Sequence, residues 1–304
     1  MTLSILALTG GLALLTAAAD RSVLSAARLS VHFGLSPVLI GALVIGLGTS
    51  IPELVVSLVA ADPTQSMGNI VGSNISNLTL VLGSAVLFAT IVVPRSMLFR
   101  QGFVMAASVG VLAVTVADGE VSRLEGVGLA AAAVAAYVLL VWVGRDDAQQ
   151  VSAHDDYGGG SARFEMIMAP LALAATVAGA WILVWAAERI ATDLGLTSAF
   201  VGLVLLAVGT SLPELATALA AARRSEPDLI IGNVIGSNIF NSLIVGGAAA
   251  IVHPGSVVGL GGALVLMVIA TATAGGLLVT SDRLDRRAGS VLLAGFVALI
   301  VVSL

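Results

Sequence analysis

Cysteine is absent from the 304 residues, and with it go disulfides, thiolate metal sites and cysteine nucleophiles. Lysine is absent too. All thirteen basic residues are arginines, only 10% of the chain is charged, and the net charge of -5 is spread thinly. No basic patch for nucleic acid can be assembled from that supply, which excludes nucleic acid as a partner. Histidine is scarce, and no HExxH pattern or Ser/His pairing occurs in the apolar segments, so an intramembrane enzyme is not expected. What the chain has is hydrophobic surface: 58% of its residues are hydrophobic and the mean hydropathy is +1.09, far outside the range of soluble domains. It belongs in a lipid bilayer.

A single span needs about 20 mostly apolar residues. Apolar runs separated by charged or Pro/Gly-bearing breaks fall near 3-19, 36-60, 68-92, 101-117, 126-143, 165-187, 197-221, 229-252, 257-279 and 289-304, which predicts ten helices. These runs are continuous and lack the alternation of barrel strands, so the fold class is all-α, a polytopic membrane protein. The first twenty residues lack a basic leader and are long enough to span, so they read as a first helix and not as a cleaved signal. Eleven of the thirteen arginines lie in connections 1-2, 3-4, 5-6, 7-8 and 9-10; the other connections hold only Arg123 and Arg189. Basic residues are retained on the cytoplasmic side, which places both termini outside the cell membrane. A polar stretch at 144-163, rich in Gly, Ser and charge, reads as a cytoplasmic linker within a single integral domain spanning 1-304. His154, Asp155 and Asp156 in that stretch are read as solvated.

The linker separates two five-helix repeats, 1-143 and 164-304. GTSIPELVVSLVAA and GNIVGSNISN in the first recur as GTSLPELATALAAA and GNVIGSNIFN in the second. Because five is odd, the second copy crosses the membrane in the opposite sense, giving inverted repeats of the kind secondary transporters use to frame a midplane site. At helical spacing Gly46, Thr49, Ser50 and Glu53 share a face, as do Ala207, Thr210, Ser211 and Glu214. In the following helices Asn69, Ser73 and Asn77 form a stripe, matched by Asn233, Ser237 and Asn241. Hydroxyl, amide and carboxylate oxygens are hard donors, suited to sodium and calcium, whereas zinc would call for His or Cys. Pro52 and Pro213 each remove an N-H and clash one turn back, at Gly48 and Gly209, so both helices are expected to break inside the box and free carbonyls for ligation. Glu53 and Glu214 decide the reading: a carboxylate near the bilayer centre costs roughly 2.5-3.5 kcal/mol. Two of them match the charge of one Ca²⁺ or two Na⁺. Asn74 and Asn238 lie off the stripes and read as packing residues. Glu188, Asp193, His32 and His253 sit near helix ends or in connections and read as solvated.

These boxes resemble the α-repeats of the sodium/calcium exchanger family, in the cation/calcium antiporter superfamily and of the compact prokaryotic type. The resemblance implies Na⁺/Ca²⁺ antiport by alternating access, with helices 1 and 6 sliding past helices 2-3 and 7-8. It makes Glu53 and Glu214 the central ligands, with hydroxyls from Thr49, Ser50, Thr210 and Ser211 and carbonyls from Gly46 and Ala207. Ser73, Asn77, Ser237 and Asn241 complete the set. No cofactor beyond the transported ions and no obligatory protein partner is expected. Some exchangers carry Asp where this chain has Asn241. The segment from Glu53 to Ser73 is also three residues shorter than that from Glu214 to Ser237, which predicts a tighter turn around Asp62 and Pro63. The alternative is a proton-coupled calcium antiporter, since a buried Glu can exchange its cation for a proton; its relatives usually carry an acid in a GNxxE box, where this chain has GSN. A passive channel fits the broken-helix inverted repeat less well.

Overall fold

A computed structural model describes residues 2-92, 97-144, 161-194, 209-281 and 283-303. Among them are ten helices, one on each predicted run: α1 Thr2–Phe33, α2 Pro37–Val59, α3 Pro63–Phe88, α4 Phe99–Val116, α5 Arg123–Gly144, α6 Ala162–Asp193, α7 Leu212–Arg223, α8 Pro227–Val252, α9 Gly261–Ser281 and α10 Arg286–Ser303. Eight of these are long and apolar enough to cross a membrane. The exceptions are α10 and α7, whose expected beginning at 197-208 lies outside the described residues. Most of the expected linker, 145-160, lies outside them as well. α3 and α8 form the centre, with 78% and 83% of their spanning windows buried, against 28% for α1. Leu124, Val114, Trp142 and Val134 point outward from α4 and α5, as side chains facing lipid do.

Two short ladders report the relation between the halves. β1 (Ile91–Val92), after α3, pairs with β4 (Arg283–Leu284), after α9; β2 (Glu120–Val121), after α4, pairs with β3 (Gly255–Ser256), after α8. β1 and β3 occupy equivalent places in the two repeats, yet each pairs with the other's neighbour. α4 carries the chain about 27 Å from β1 to β2, so the two ladders lie at opposite ends of the bundle. Equivalent connections are therefore on opposite faces, as inverted repeats require.

Helices α1 and α6 overrun their expected limits of 3-19 and 165-187; each has 32 residues, about 48 Å, well beyond the hydrocarbon thickness. Paired charges make the extension possible. Arg21 Nη2 and Arg28 Nη1 each lie 2.7 Å from the Glu165 carboxylate, whose side chain is fully buried between them. Arg224 closes on Asp20 through Nε at 2.7 Å and Nη2 at 2.5 Å, tying the end of α7 to α1. On the same arginine-rich side Asp285 caps α10, accepting from the backbone N-H groups of Arg287 and Ala288; those bonds, that from Ala288 first, hold its carboxyl below the usual range.

The expectation of a tighter turn at Asp62 and Pro63 is not met. Three residues separate α2 from α3, and three separate α7 from α8. The offset instead shortens the helix after the break: Ile51–Val59 has nine residues where Leu212–Arg223 has twelve. Asp62 starts the next helix, its Oδ1 accepting from Gln65 N at 2.9 Å while Gln65 Oε1 accepts from Ala61 N at 2.8 Å. From Pro63 to Ser73 and from Pro227 to Ser237 the spacing is identical, so the polar stripes keep their register.

Candidate functional site

The breaks fall at Ser50 and Ser211, whose backbones (φ -88°, ψ 8° and φ -85°, ψ 2°) lie in the sparsely populated bridge region. In each case a new helical segment starts at the next residue, with proline second and glutamate third. Pro52 and Pro213 are tolerated there because the first N-H groups of a helix have no partner to lose. Glu53 and Glu214 thus sit in first turns, where the helix dipole favours negative charge. They are 0% and 1% exposed.

Three further irregularities coincide with the expected site. α2 is π-helical over Gly41–Gly46, α3 over Asn77–Val81 and α8 over Phe240–Val245. Gly46 ends the first, Asn77 begins the second and Asn241 lies in the third. Such turns widen the helix and release carbonyls from regular bonding, and they cluster at functional sites.

Hydrogen bonds draw the second half's residues onto the first half's box. Ser50 Oγ donates to Glu214 Oε1 at 2.8 Å, and Ser237 Oγ donates to the Gly46 carbonyl at 3.2 Å. Thr49 Oγ1 donates to the Ile45 carbonyl at 3.0 Å and lies 3.4 Å from Asn233 Oδ1, which also faces Ser237 Oγ at 3.4 Å. Gly46 has to be glycine at this crossing, because a Cβ would stand 2.8 Å from Ser237 N. Ser73 and Thr210 are buried near the same boxes, and Ala207 lies outside the described residues.

The remaining predicted residues are buried and left with open valences. Among the described residues, both carboxylate oxygens of Glu53, Oε2 of Glu214, both amide atoms of Asn77 and of Asn241, and Ser211 Oγ have no hydrogen-bond partner. A buried polar atom without a partner costs about 1-3 kcal/mol, and an ionised one more. These open polar atoms recur on two symmetry-related helix pairs.

Sequence spacing missed the layer behind these residues. Asn69 Nδ2 donates to Ser57 Oγ at 2.9 Å and to the Glu53 carbonyl at 3.3 Å; Asn233 Nδ2 donates to Thr217 Oγ1 at 3.1 Å and to the Glu214 carbonyl at 3.4 Å. Each stripe's first asparagine therefore clasps the glutamate segment. Ser57 and Thr217 stand four and three residues after the glutamates, on the same helix face, which was the available signal. Asn74 and Asn238, expected to be packing residues, are buried, Asn74 Nδ2 reaching Ser242 Oγ at 3.2 Å and Asn238 Nδ2 the Val234 carbonyl at 2.7 Å, while the Oδ1 of each has no hydrogen-bond partner among the described residues. His253, expected to be solvated, has Nε2 3.0 Å from the Leu58 carbonyl at the end of α2. Glu188 is not simply solvated either: with Trp181, Trp185 and Val56 it lines a cleft of about 220 Å³ that reaches Thr210.

Two helix starts of the same form facing each other across inverted repeats, each with a buried carboxylate in its first turn, are a transporter's construction. The family model for sodium/calcium exchanger protein matches residues 3-143 and 165-304, both halves and nothing of the linker. The chain belongs to the sodium/calcium exchanger family. It is 34% identical over 301 residues to the putative antiporter CaxA of Alkalimonas amylolytica, covering 94% of each chain. It is 31% identical to the sodium/calcium exchanger MaX1 of Methanosarcina acetivorans, over 84% of this chain and 85% of that one. Among solved structures it matches the sodium-calcium exchanger NCX_Mj soaked with Na⁺ and Sr²⁺ at a TM-score of 0.87 and 30% identity, over 99% of this chain and 98% of that one. As a member of this family the chain is a membrane-embedded cation/Ca²⁺ antiporter and not an enzyme.

Proposed function

We propose that this exchanger couples Na⁺ to Ca²⁺ and binds both ions in turn at one site centred on Glu53 and Glu214. The observation that carries the reading is that both carboxylate oxygens of Glu53 and Oε2 of Glu214 are buried without a hydrogen-bond partner among the described residues, beside the open amides of Asn77 and Asn241. A calcium ion takes six to eight oxygens, and two carboxylates with hydroxyl, amide and carbonyl oxygens supply that number without His or Cys. Glu53 and Glu214 provide the charge. Thr49, Ser50, Thr210, Ser211, Ser73 and Ser237 provide hydroxyls, Asn77 and Asn241 amide oxygens, and Gly46 and Ala207 carbonyls. Ser50 and Ser237 spend their protons on Glu214 and Gly46, which leaves their lone pairs for a cation. Ions reach the site from the far side of the bundle through the cleft at Thr210, where Glu188 attracts them. The arginine-rich side faces the cytoplasm, with the linker at 144-163, and both termini face outward across the cell membrane. The single chain works without a cofactor or a partner protein.

Uptake of radiolabelled Ca²⁺ into proteoliposomes tests the coupling. Uptake driven by an outward Na⁺ gradient, and absent with choline and an imposed pH gradient, is expected. Uptake driven by the proton gradient alone would replace sodium with protons as the coupling ion.

A further inference from the structure

An apolar groove lies on the lipid-facing flank of the bundle, between the first turns of α4 and the last turns of α9. Its volume is about 220 Å³, larger than the ~150 Å³ apolar cavity that stays dry and takes up benzene. Phe99 and Phe103, 63% and 67% exposed, frame its mouth with Val279, and Leu78, Val234 and Ile235 form its buried floor. Water has little to bind there: the one polar side chain in the lining, Thr271, already donates its hydroxyl proton to the Met267 carbonyl at 2.8 Å. The groove runs about 12 Å along α9 from Val279 to Thr271, starting at the end where β4 pairs with β1. That end is the arginine-rich one. Arg100 follows Phe99 in sequence, and Arg283, Arg286 and Arg287 are exposed just beyond α9, where the sequence sets Asp282 and Asp285 against them and leaves a net positive charge.

We propose that this groove is a binding site for one acyl chain of an anionic phospholipid from the leaflet on the arginine-rich side. Hydrocarbon is the phase the mouth opens into, and the arginines at the rim complement a phosphate-bearing headgroup with net negative charge. The chain would lie against Val234 and Ile235, which share α8 with Asn233 and Ser237, and against Leu78, next to Asn77 on α3. A bound lipid therefore braces the two helices of the GSN boxes from behind.

The test reconstitutes the full chain in vesicles of equal phosphatidylglycerol and phosphatidylcholine, re-extracts it in mild detergent and counts retained lipid by native mass spectrometry. One phosphatidylglycerol per protein is expected, in preference to phosphatidylcholine. Gly275→Phe fills the groove from α9, where a Cβ meets no atom within 4 Å, and should lower retention at least about tenfold, the equivalent of two buried methylene groups. Gly276→Phe, equally unobstructed but off the groove, should leave retention unchanged. Ala106→Phe makes the same test from the α4 wall. No retained phospholipid, equal retention of both lipids, or undiminished retention in both filled variants would overturn the proposal.

Discussion

Replacing Glu53 by Gln keeps the shape of the side chain and removes one of the two charges on which the proposed ion site rests. Both oxygens of Glu53 are buried and unpartnered among the described residues, so the ion-free protein carries the cost of that carboxylate, which a bound cation or a proton offsets. Two opposite consequences follow. With Ca²⁺ bound, the variant leaves a divalent ion facing one carboxylate, and removing one partner of a buried charge pair costs about 3-5 kcal/mol. That lowers calcium affinity by roughly two to nearly four orders of magnitude. Without ions the variant loses a strained group, so its melting temperature should equal or exceed that of the parent. Melting in detergent, with and without Ca²⁺, reads both effects at once. At a hundred times its Kd a ligand adds about 2.7 kcal/mol of stability. The parent should show such a calcium-dependent rise in Tm, and Glu53→Gln should show none at the same concentration and no Ca²⁺ uptake in vesicles. A variant that melts lower without ions but keeps the calcium-dependent rise would mean that Glu53 is a structural residue and that the ion sits elsewhere.

Ser50→Ala removes the hydrogen bond to Glu214 and one hydroxyl ligand; a bond to a charged group contributes about 1.5-3 kcal/mol, so the KM for Ca²⁺ should rise at least about tenfold, measured by initial uptake rates. Gly46→Ala drives a Cβ to within 2.8 Å of Ser237 N and 2.9 Å of the Asn233 carbonyl, so α2 and α8 must separate; we expect about 1-3 kcal/mol of destabilisation with loss of exchange, and an unaltered melting temperature and rate would refute the close crossing. Glu165→Gln leaves Arg21 and Arg28 without their shared counter-charge and should cost about 2 kcal/mol in thermal unfolding while Ca²⁺ affinity stays put. Acid should inhibit by competition: as pH falls from 8 to 5, protons and Ca²⁺ contend for the same carboxylates, so the KM for Ca²⁺ rises while kcat is retained. A KM that stays flat across that range would break the link between the glutamates and the ion.

How much of this was legible in the sequence depended on whether a feature is local. Helix existence was legible everywhere the structure describes, because a membrane leaves the chain no other means of satisfying its backbone. The breaks at Ser50 and Ser211 followed from Pro52 and Pro213, and the burial of Glu53, Glu214, Asn77 and Asn241 from the repetition of polar stripes on apolar helices. Helix ends were not legible where a long-range partner sets them. Hydropathy stops α1 near Asp20 and Arg21; the structure continues it to Phe33 because those charges and Arg28 find Arg224 and Glu165 more than a hundred residues away. The three-residue offset between repeats was visible but misplaced, since a gap in register does not say whether a turn or a helix is shorter. Here the helix after Glu53 is the shorter element, and the cap formed by Asp62 and Gln65 begins α3 at the same three-residue distance as in the second repeat.

The layer behind the site was the hardest to read, and its physical reason bears on transport. Asn233 looked like one more oxygen on a stripe, yet its amide nitrogen holds the Glu214 segment while its amide oxygen faces Thr49 and Ser237. It therefore joins α8 to α7 with one end and to α2 with the other, across both repeats. Asn69 makes the matching clasp on the Glu53 segment from the first repeat. The glutamates are thus fixed by their backbones and hydroxyl neighbours, while much of the ion-facing oxygen set remains unbonded. On the proposed ligand set, one cation can replace another without the asparagine clasps having to reform, because Asn69 and Asn233 hold the glutamate segments through their amide nitrogens and not through the carboxylate oxygens.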